Sequence, residues 1–296
     1  MSPPATTRVA YLGPAGTYAE EALRASAPGS VEEIPFPTVY ETVMAVQAGG
    51  AERAVVPIEN SLEGGVGATL DALAGEADRV RITADVVHPI NHCLIARRAL
   101  ELDQVKRVVS HPQATAQSAR FLRERVPGAD QVGAPSTAEA VQQVAAAEEP
   151  WAAVGSRLAA ELYGCEVLAA GIQDHPDNVT RFVWLGAEEI AAAGAGAALK
   201  TSLVFWGFND DSPGALVDVL REFADRGVNL TRIESRPRPE AFGHYRFFAD
   251  LGGGEQDEAV REALAALEQR VETLRILGSY PTLESGGGAG AGGHRS

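Results

Sequence analysis

Between Arg8 and Gly186 short apolar runs alternate with amphipathic stretches, and no other feature of the sequence constrains the fold as tightly. The runs are Val9–Leu12, Arg53–Ile58, Val80–Val87, Cys93–Ala96, Arg107–Val109, Trp151–Val154 and Thr180–Leu185. Between them, segments such as Thr38–Gln47, Ala114–Arg125 and Thr137–Ala147 carry apolar residues at helical spacing. Repeated strand-then-helix units bury both faces of a largely parallel sheet, so the expected class is α/β. At about 150 residues per domain, a chain of 296 residues has room for a second domain.

That second domain is expected over residues 200–281. Thr201–Phe208 reads as a strand, and Ser212-Pro213 is expected to open a helix with Ser as N-cap and Pro at the first position. Leu216, Val219, Leu220 and Phe223 form its apolar stripe, and Gly227 ends it. Asn229–Glu234 and His244–Leu251 are strand-like, with a turn expected at Pro237-Arg238-Pro239. A second stripe, Val260, Leu264, Leu267 and Val271, precedes a last strand at Arg275–Ser279. The order βαββαβ is the ferredoxin-like arrangement. The Ala/Gly-rich segment 187–199 is expected to be a flexible linker after a first domain at 6–186. The Gly-rich tail 284–296 has too little apolar surface to fold.

Forty acidic residues against 25 basic ones leave a net charge of −15, which argues against nucleic acid as a partner. It leaves an anionic small substrate open, because a local pocket can override the global charge. Residues 1–7 lack the pattern of a secretion signal, and no apolar run approaches the ~20 residues needed to span a membrane. A cytoplasmic protein with no membrane partner is expected, with Cys93 and Cys165 reduced.

Four polar segments follow directly after strands, at the edge of an open parallel sheet where ligands bind. In Gly13-Pro14-Ala15-Gly16-Thr17-Tyr18-Ala19-Glu20, Thr17 and Glu20 have capping-box spacing, so Thr17 is expected to start a helix whose amides attract anions. A plain strand-to-helix turn would look the same. Glu59, Asn60 and Ser61 stand where a strand breaks into a Gly-rich turn, with Ser61 as a possible cap for the next helix. In Ser110-His111-Pro112-Gln113, Ser110 and Gln113 fit a capping box, and Gln117 lies one turn above Gln113. His111 is read as a structural residue of this turn rather than a general base. In Asn178-Val179-Thr180-Arg181-Phe182, strand alternation puts Thr180 and Phe182 on one face and Arg181 on the other.

Several motifs are missing. Gly13-Pro14-Ala15-Gly16 lacks the G-x-G-x-x-G spacing of a dinucleotide fingerprint, and the chain has no G-x-x-x-x-G-K, C-x-x-C or G-x-S-x-G. Dinucleotide, nucleoside triphosphate, zinc and serine-esterase chemistry have no support, and neither a metal nor an organic cofactor is expected.

Taken together, Gly13–Thr17, Pro57–Ser61, Ser110–Gln113 and Asn178–Phe182 resemble the prephenate dehydratases in order and spacing. Gly214-Ala215-Leu216-Val217 and Glu234-Ser235-Arg236-Pro237 resemble the two ligand-loop motifs of that family's regulatory ACT domain. The resemblance spans about Arg8 to Pro281. It implies a two-lobed, periplasmic-binding-like catalytic domain followed by an ACT domain. It implies prephenate as substrate, with Thr180 as the catalytic threonine and Asn60, Ser110 and Gln117 lining the site. Thr17, Glu59, Ser61, Arg181 and Phe182 are the expected substrate-binding residues. L-phenylalanine is the expected inhibitor, bound by Gly214, Ala215, Leu216, Val217, Asn229, Glu234, Ser235, Arg236 and Pro237 across a pair of ACT domains. A homodimer or homotetramer is therefore expected, with coupling to the first domain through residues 187–199. Ala19 stands where many relatives have Ser or Thr. The first motif begins at Tyr11, leaving no room before it for the chorismate mutase of bifunctional relatives, so the monofunctional form is expected. Two other functions fit the same pattern: an arogenate dehydratase, and an amino-acid sensor without catalysis.

Overall fold

The computed structural model describes residues 6–187, 199–209, 212–238 and 241–283. The central part of the expected linker, 188–198, and the Gly-rich tail, 284–296, lie outside the described residues. The strands are β1 (Thr7–Leu12), β2 (Val31–Phe36), β3 (Arg53–Asn60), β4 (Gly64–Gly65), β5 (Arg81–Pro89), β6 (Cys93–Ala96), β7 (Arg107–Ser110) and β8 (Asp130–Gly133). They continue with β9 (Trp151–Gly155), β10 (Glu166–Ala170), β11 (Val179–Gly186), β12 (Leu199–Trp206), β13 (Leu230–Arg238), β14 (Ala241–Gly252) and β15 (Thr273–Leu283). All seven runs read as strands in the first domain are strands, and the class is mixed α/β as expected. β2, β8 and β10 were not anticipated. Their sequences are polar or half-exposed, which removes the apolar run that marks a buried strand.

The chain divides into two compact units, each with its own sheet. One holds the residues up to Leu12, Glu32–Asp85 and Arg181–Thr282; the other holds Gly13–Val31 and Val86–Thr180. Repeated passage of one chain between two sheet-centred units is the connectivity of the periplasmic-binding-like fold. The second unit is built on a five-stranded sheet ordered β10-β6-β9-β7-β8. Its apolar clusters include Ile95, Val141 and Ala153, and Leu94, Val108 and Leu122.

The first unit is built on a ten-stranded sheet, ordered β13-β14-β12-β15-β5-β11-β3-β1-β2 with β4 paired to β3. Residues 199–283 supply β12 to β15 together with helices Ala215–Ala224 and Glu258–Glu268, which is the expected βαββαβ order. Their own core, including Phe205, Phe223, Leu251 and Leu267, packs those helices on the sheet. A second core is shared: Val204, Phe248, Leu277 and Tyr280 belong to one buried cluster with Ile58, Ile82 and Val183. Residues 199–283 are therefore joined to β3, β5 and β11 by hydrogen-bonded strand pairing and common apolar burial. The expectation that the link runs through residues 187–199 alone is corrected by this shared sheet.

Three local expectations are also corrected. Ser212 is not the N-cap of the helix Ala215–Ala224; Gly214 is, at a φ of 89° that favours glycine. Ser212 instead accepts a hydrogen bond at its Oγ from Asn209 Nδ2 at 2.8 Å. Of the turn expected at Pro237-Arg238-Pro239, Pro237 and Arg238 are strand, the proline tolerated because β13 is the outermost strand of its sheet, and Pro239 lies outside the described residues. The single helix expected over Ala114–Arg125 is two, Pro112–Gln117 and Ala119–Arg125, with Ser118 between them outside helical dihedrals.

The seam between β15 and β5 has little room. A Cβ on Gly278 would stand 2.1 Å from the main-chain oxygen of Ile82, which cannot move without parting the strands. Gly278→Ala is expected to destabilise the fold by about 1–3 kcal/mol, as other forced overpacking does. The urea unfolding midpoint measures this, and an unchanged midpoint would contradict the close pairing.

Candidate active site

In the second unit the first motif is pinned from both sides. Gly16 has a φ of 90°, and a Cβ there would lie 2.9 Å from the Cα of Ala159, so only glycine fits. Ser156 Oγ donates to the Gly16 carbonyl at 2.8 Å, and Tyr163 Oη donates to that of Ala15 at 2.6 Å. Thr17 is buried and is the N-cap of the helix Tyr18–Ser26, as expected, but its side chain makes no capping bond. Glu20, buried, accepts from the Gly16 N–H at 2.5 Å.

Gln117, at the end of the helix Pro112–Gln117, is the best-organised of the expected catalytic residues. Its Oε1 accepts from Asn178 Nδ2 at 3.1 Å and lies 3.0 Å from His92 Nε2. His92 is 2% exposed, and its Nδ1 is 2.7 Å from the hydroxyl of Tyr18. Burial lowers the His92 pKa below its ordinary value, against the opposing bond to Gln117. Burial, then Glu21, raises that of Tyr18. A neutral phenol and a neutral imidazole give one consistent proton arrangement: Tyr18 donates to Nδ1, and Nε2–H donates to Gln117 Oε1. With its oxygen so held, the amide can only turn its Nε2 outward from the cluster. That Nε2 is buried and has no hydrogen-bond partner among the described residues. Two N–H donors at a buried position cost free energy unless something accepts from them.

Sequence reasoning pointed to Gln117 but missed His92 and Tyr18; the spacing of His88 and His92 was the available signal, although it is Gln117 and Tyr18, distant in sequence, that His92 meets. Ser110 is fully buried, and its hydroxyl donates to the Val154 carbonyl on the adjacent strand β9 at 2.8 Å rather than capping a helix. His111 takes the capping role, accepting at Nδ1 from the Gln113 N–H, in line with its structural reading. Thr180 is buried near the start of β11, followed by the buried Arg181 and Phe182.

In the first unit, Asn60 ends β3 and accepts at Oδ1 from the N–H groups of Leu62 and Glu63 at 3.0 and 3.1 Å. This Asx turn shapes the Gly-rich segment, and the following helix Gly67–Ala74 has Val66 as N-cap, not Ser61. Glu59 and Arg181 meet. Arg181 Nε donates to Glu59 Oε2 at 3.1 Å, Nη1 to Asp85 Oδ2 at 3.3 Å and Nη2 to Asp250 Oδ2 at 2.7 Å. Lys200 adds a bond to Asp85 Oδ2 at 2.7 Å. Burial opposes the charge on Arg181, but Asp250 first, then Tyr280, Asp85 and Glu59, more than offset it and its pKa lies above the ordinary value. Two residues expected on the substrate, Glu59 and Arg181, thus have their charges engaged with each other and with Asp85 and Asp250.

Strand alternation also splits the expected effector motif. Along β13, Ser235 and Pro237 are exposed, while Glu234 and Arg236 are half-buried. Arg236 makes a two-pronged pair with Asp71 at 2.8 and 2.7 Å, and Glu234 lies against Gly65 and bonds Arg232. Gly214 and Val217 are exposed, Ala215 and Leu216 half-buried, and the Asn229 carbonyl accepts from the Gly252 N–H at 2.9 Å.

The buried His92 has a consequence for stability. Its folded-state pKa lies below 6.5, so under acid the unfolded chain takes up this proton first. Stability is then unaffected by His92 above its unfolded pKa, falls as pH drops through about 6.5, and levels off below the folded value. Between pH 7 and 5 the urea midpoint of the wild type is expected to fall more steeply than that of His92→Gln. Equal slopes would show that the imidazole is not held neutral.

With this geometry in hand, comparison with known proteins is specific. The family profile for prephenate dehydratase matches residues 9–190, and that for the ACT domain matches residues 208–269. A prephenate dehydratase from Mycolicibacterium gilvum is 41% identical over 292 residues, covering 95% of this chain and 93% of that protein. The crystal structure of the Arthrobacter aurescens prephenate dehydratase, solved in complex with L-Phe, is 41% identical with a TM-score of 0.85, covering 93% of this chain and 90% of that one. A solved structure described as GqqA, a novel type of quorum quenching acylase, is 33% identical with a TM-score of 0.83, covering 93% and 98%. Family profiles matching both domains, and similarity extending over nearly the whole chain, show that it belongs to the prephenate dehydratase family, with an ACT domain following the catalytic part.

Proposed function

We propose that this chain converts prephenate to phenylpyruvate, carbon dioxide and water, with Thr180 at the departing hydroxyl and Gln117 donating to the substrate. The C–CO₂ bond breaks, its electron pair enters the ring, and the ring hydroxyl leaves as hydroxide, which takes one proton to become water. Aromatisation supplies the driving force. The reading is supported most directly by the Gln117 amide, whose oxygen is held by His92 and Asn178 and whose Nε2 is left buried with donors to offer. A threonine hydroxyl has a pKa far above the working pH, so Thr180 acts as a hydrogen-bond donor or relay rather than a strong acid. Asn60, Ser110, Thr17, Ser61 and Phe182 are carried as further members of the site on the strength of their motifs. Arogenate differs from prephenate in its side chain alone, so both substrates belong in the first assay. The 33% identical neighbour adds acyl release as a third arm.

Thr180→Ala is expected to lower kcat on the order of 100- to 1000-fold, about 3–4 kcal/mol of barrier, the scale of one lost oxyanion donor. The fold, read by circular dichroism, and substrate affinity should persist. Retention of most wild-type kcat would remove Thr180 from this role.

L-Phe is proposed to bind the ACT domain and inhibit. The helix Ala215–Ala224 opens at Gly214 with amides suited to an amino-acid carboxylate, and the exposed Val217, Ile233 and Tyr245 offer apolar surface. Binding across paired ACT domains implies a dimer or tetramer in the cytoplasm, with catalytic residues 6–186 and regulatory residues 200–281. Titrating L-Phe against full-length activity, with sedimentation to read the assembly, is expected to show inhibition. Absence of both binding and inhibition at millimolar L-Phe would leave the domain as a dimerisation module.

A further inference from the structure

Asp250 belongs to β14 in the ACT segment, yet its carboxylate serves the catalytic segment. It is 2% exposed. Oδ2 accepts from Arg181 at 2.7 Å, and Oδ1 accepts from Ser202 Oγ at 2.6 Å. Ser202 is in turn 2.6 Å from the buried Tyr280 hydroxyl. Strand register sets Ser202 and Arg232 directly beside Asp250 on its two flanks, so three adjacent strands fix where this carboxylate stands. Neighbouring ties run the same way: Lys200 to Asp85 at 2.7 Å, Arg232 to Glu59 at 3.7 Å, and Arg236 to Asp71.

Arg181 is bonded through one peptide link to Thr180. On a strand, side chains alternate, so holding the Arg181 guanidinium fixes the rotation of the strand about its axis and with it the direction of the Thr180 hydroxyl. We propose that Asp250 is a positioning residue of the dehydratase reaction: acting through Arg181, it sets the orientation of Thr180, so that the ACT domain governs turnover without touching substrate. The inference rests on the assignment of Thr180 above and adds to it a route from the ACT domain. Asp250 sits one strand in from β13, whose exposed edge carries Ser235 and Pro237 of the effector motif. An effector that shifts β13 therefore moves the neighbour of the strand that aims the catalytic hydroxyl.

The test uses the full-length protein in four forms: wild type, Asp250→Asn, Arg181→Lys and the double variant. Asparagine keeps the shape and the bond from Ser202 but removes the charge. For Asp250→Asn, kcat per folded molecule is expected to fall about ten-fold or more while KM for prephenate stays within about two-fold. The double variant should lose no more than the worse single one, because the two residues act as a unit. Ser202→Ala, which leaves both charges in place, is the second variant should Asp250→Asn fold poorly, and a smaller loss in kcat is expected from it. Hydrogen exchange at the amides of 179–182 supplies a readout free of activity, and protection there is expected to weaken in Asp250→Asn. Wild-type kcat and undiminished protection in Asp250→Asn would overturn the proposal, as would losses that multiply in the double variant. A wild type inactive on prephenate would instead sink the dehydratase reading, whereas an active wild type matched by Asp250→Asn sinks this inference alone.

Discussion

A guanidinium taken out of water must be met by carboxylates, and Arg181 is met by three. Its partners come from β3, β5 and β14, so the charge sits where strands from both family segments converge. An ion that deep is costly to bury, and leaving it without a partner typically costs about 3–5 kcal/mol. Buried ion pairs add little net stability compared with apolar packing, but they tolerate few alternative geometries. The cluster ties β11 to β3, β5 and β14, beside an apolar core that the same strands share.

The same reasoning separates the two polar clusters. Around Gln117 the groups are neutral: a phenol, an imidazole and two amides joined in series, with one amide nitrogen left over. Around Arg181 they are charged and matched to one another. A neutral chain with an unused donor is suited to receive a ligand. An ionic cluster whose partners come from several strands is suited to hold those strands. The two sit on residues 178 and 181 of one short motif, Asn178 bonding Gln117 and Arg181 bonding Glu59, Asp85 and Asp250.

Much of this was legible in the sequence because it obeys local rules. The seven first-domain strands followed from apolar runs, and the βαββαβ order of residues 200–281 followed from its stripes and strands. The alternation of Thr180 against Arg181 was also readable, because period two is a local property. What escaped was set by distance along the chain. The capping spacing of Thr17 and Glu20 was real, but the bond from the Gly16 N–H to Glu20 belongs to a loop that Ser156 and Tyr163 hold from far along the chain. Ser110 looked like a cap and is instead anchored to a strand 44 residues away. The spacing of His92 from His88 says nothing of Gln117 or Tyr18, and Asp250 lay in an apolar strand of another domain; the partners of neither can be found without the fold that brings them alongside. Strands β2, β8 and β10 were missed because they are half-buried or, in β8, exposed throughout, and lack the apolar signature.

The seam at β15 and β5 also decides what can be cut from this protein. A gene truncated after residue 186 would encode every motif of the catalytic segment, yet β5 would become an open edge. Its main-chain donors and acceptors would face solvent over much of its length beside Ile82, Ala84 and Val86, side chains that are buried in the full chain. A long apolar edge strand of that kind pairs readily with another chain, and such proteins aggregate. The regulatory segment is in this sense part of the catalytic segment's own solubility, and fusion or swapping of ACT domains in this family would have to preserve the strand that closes the edge.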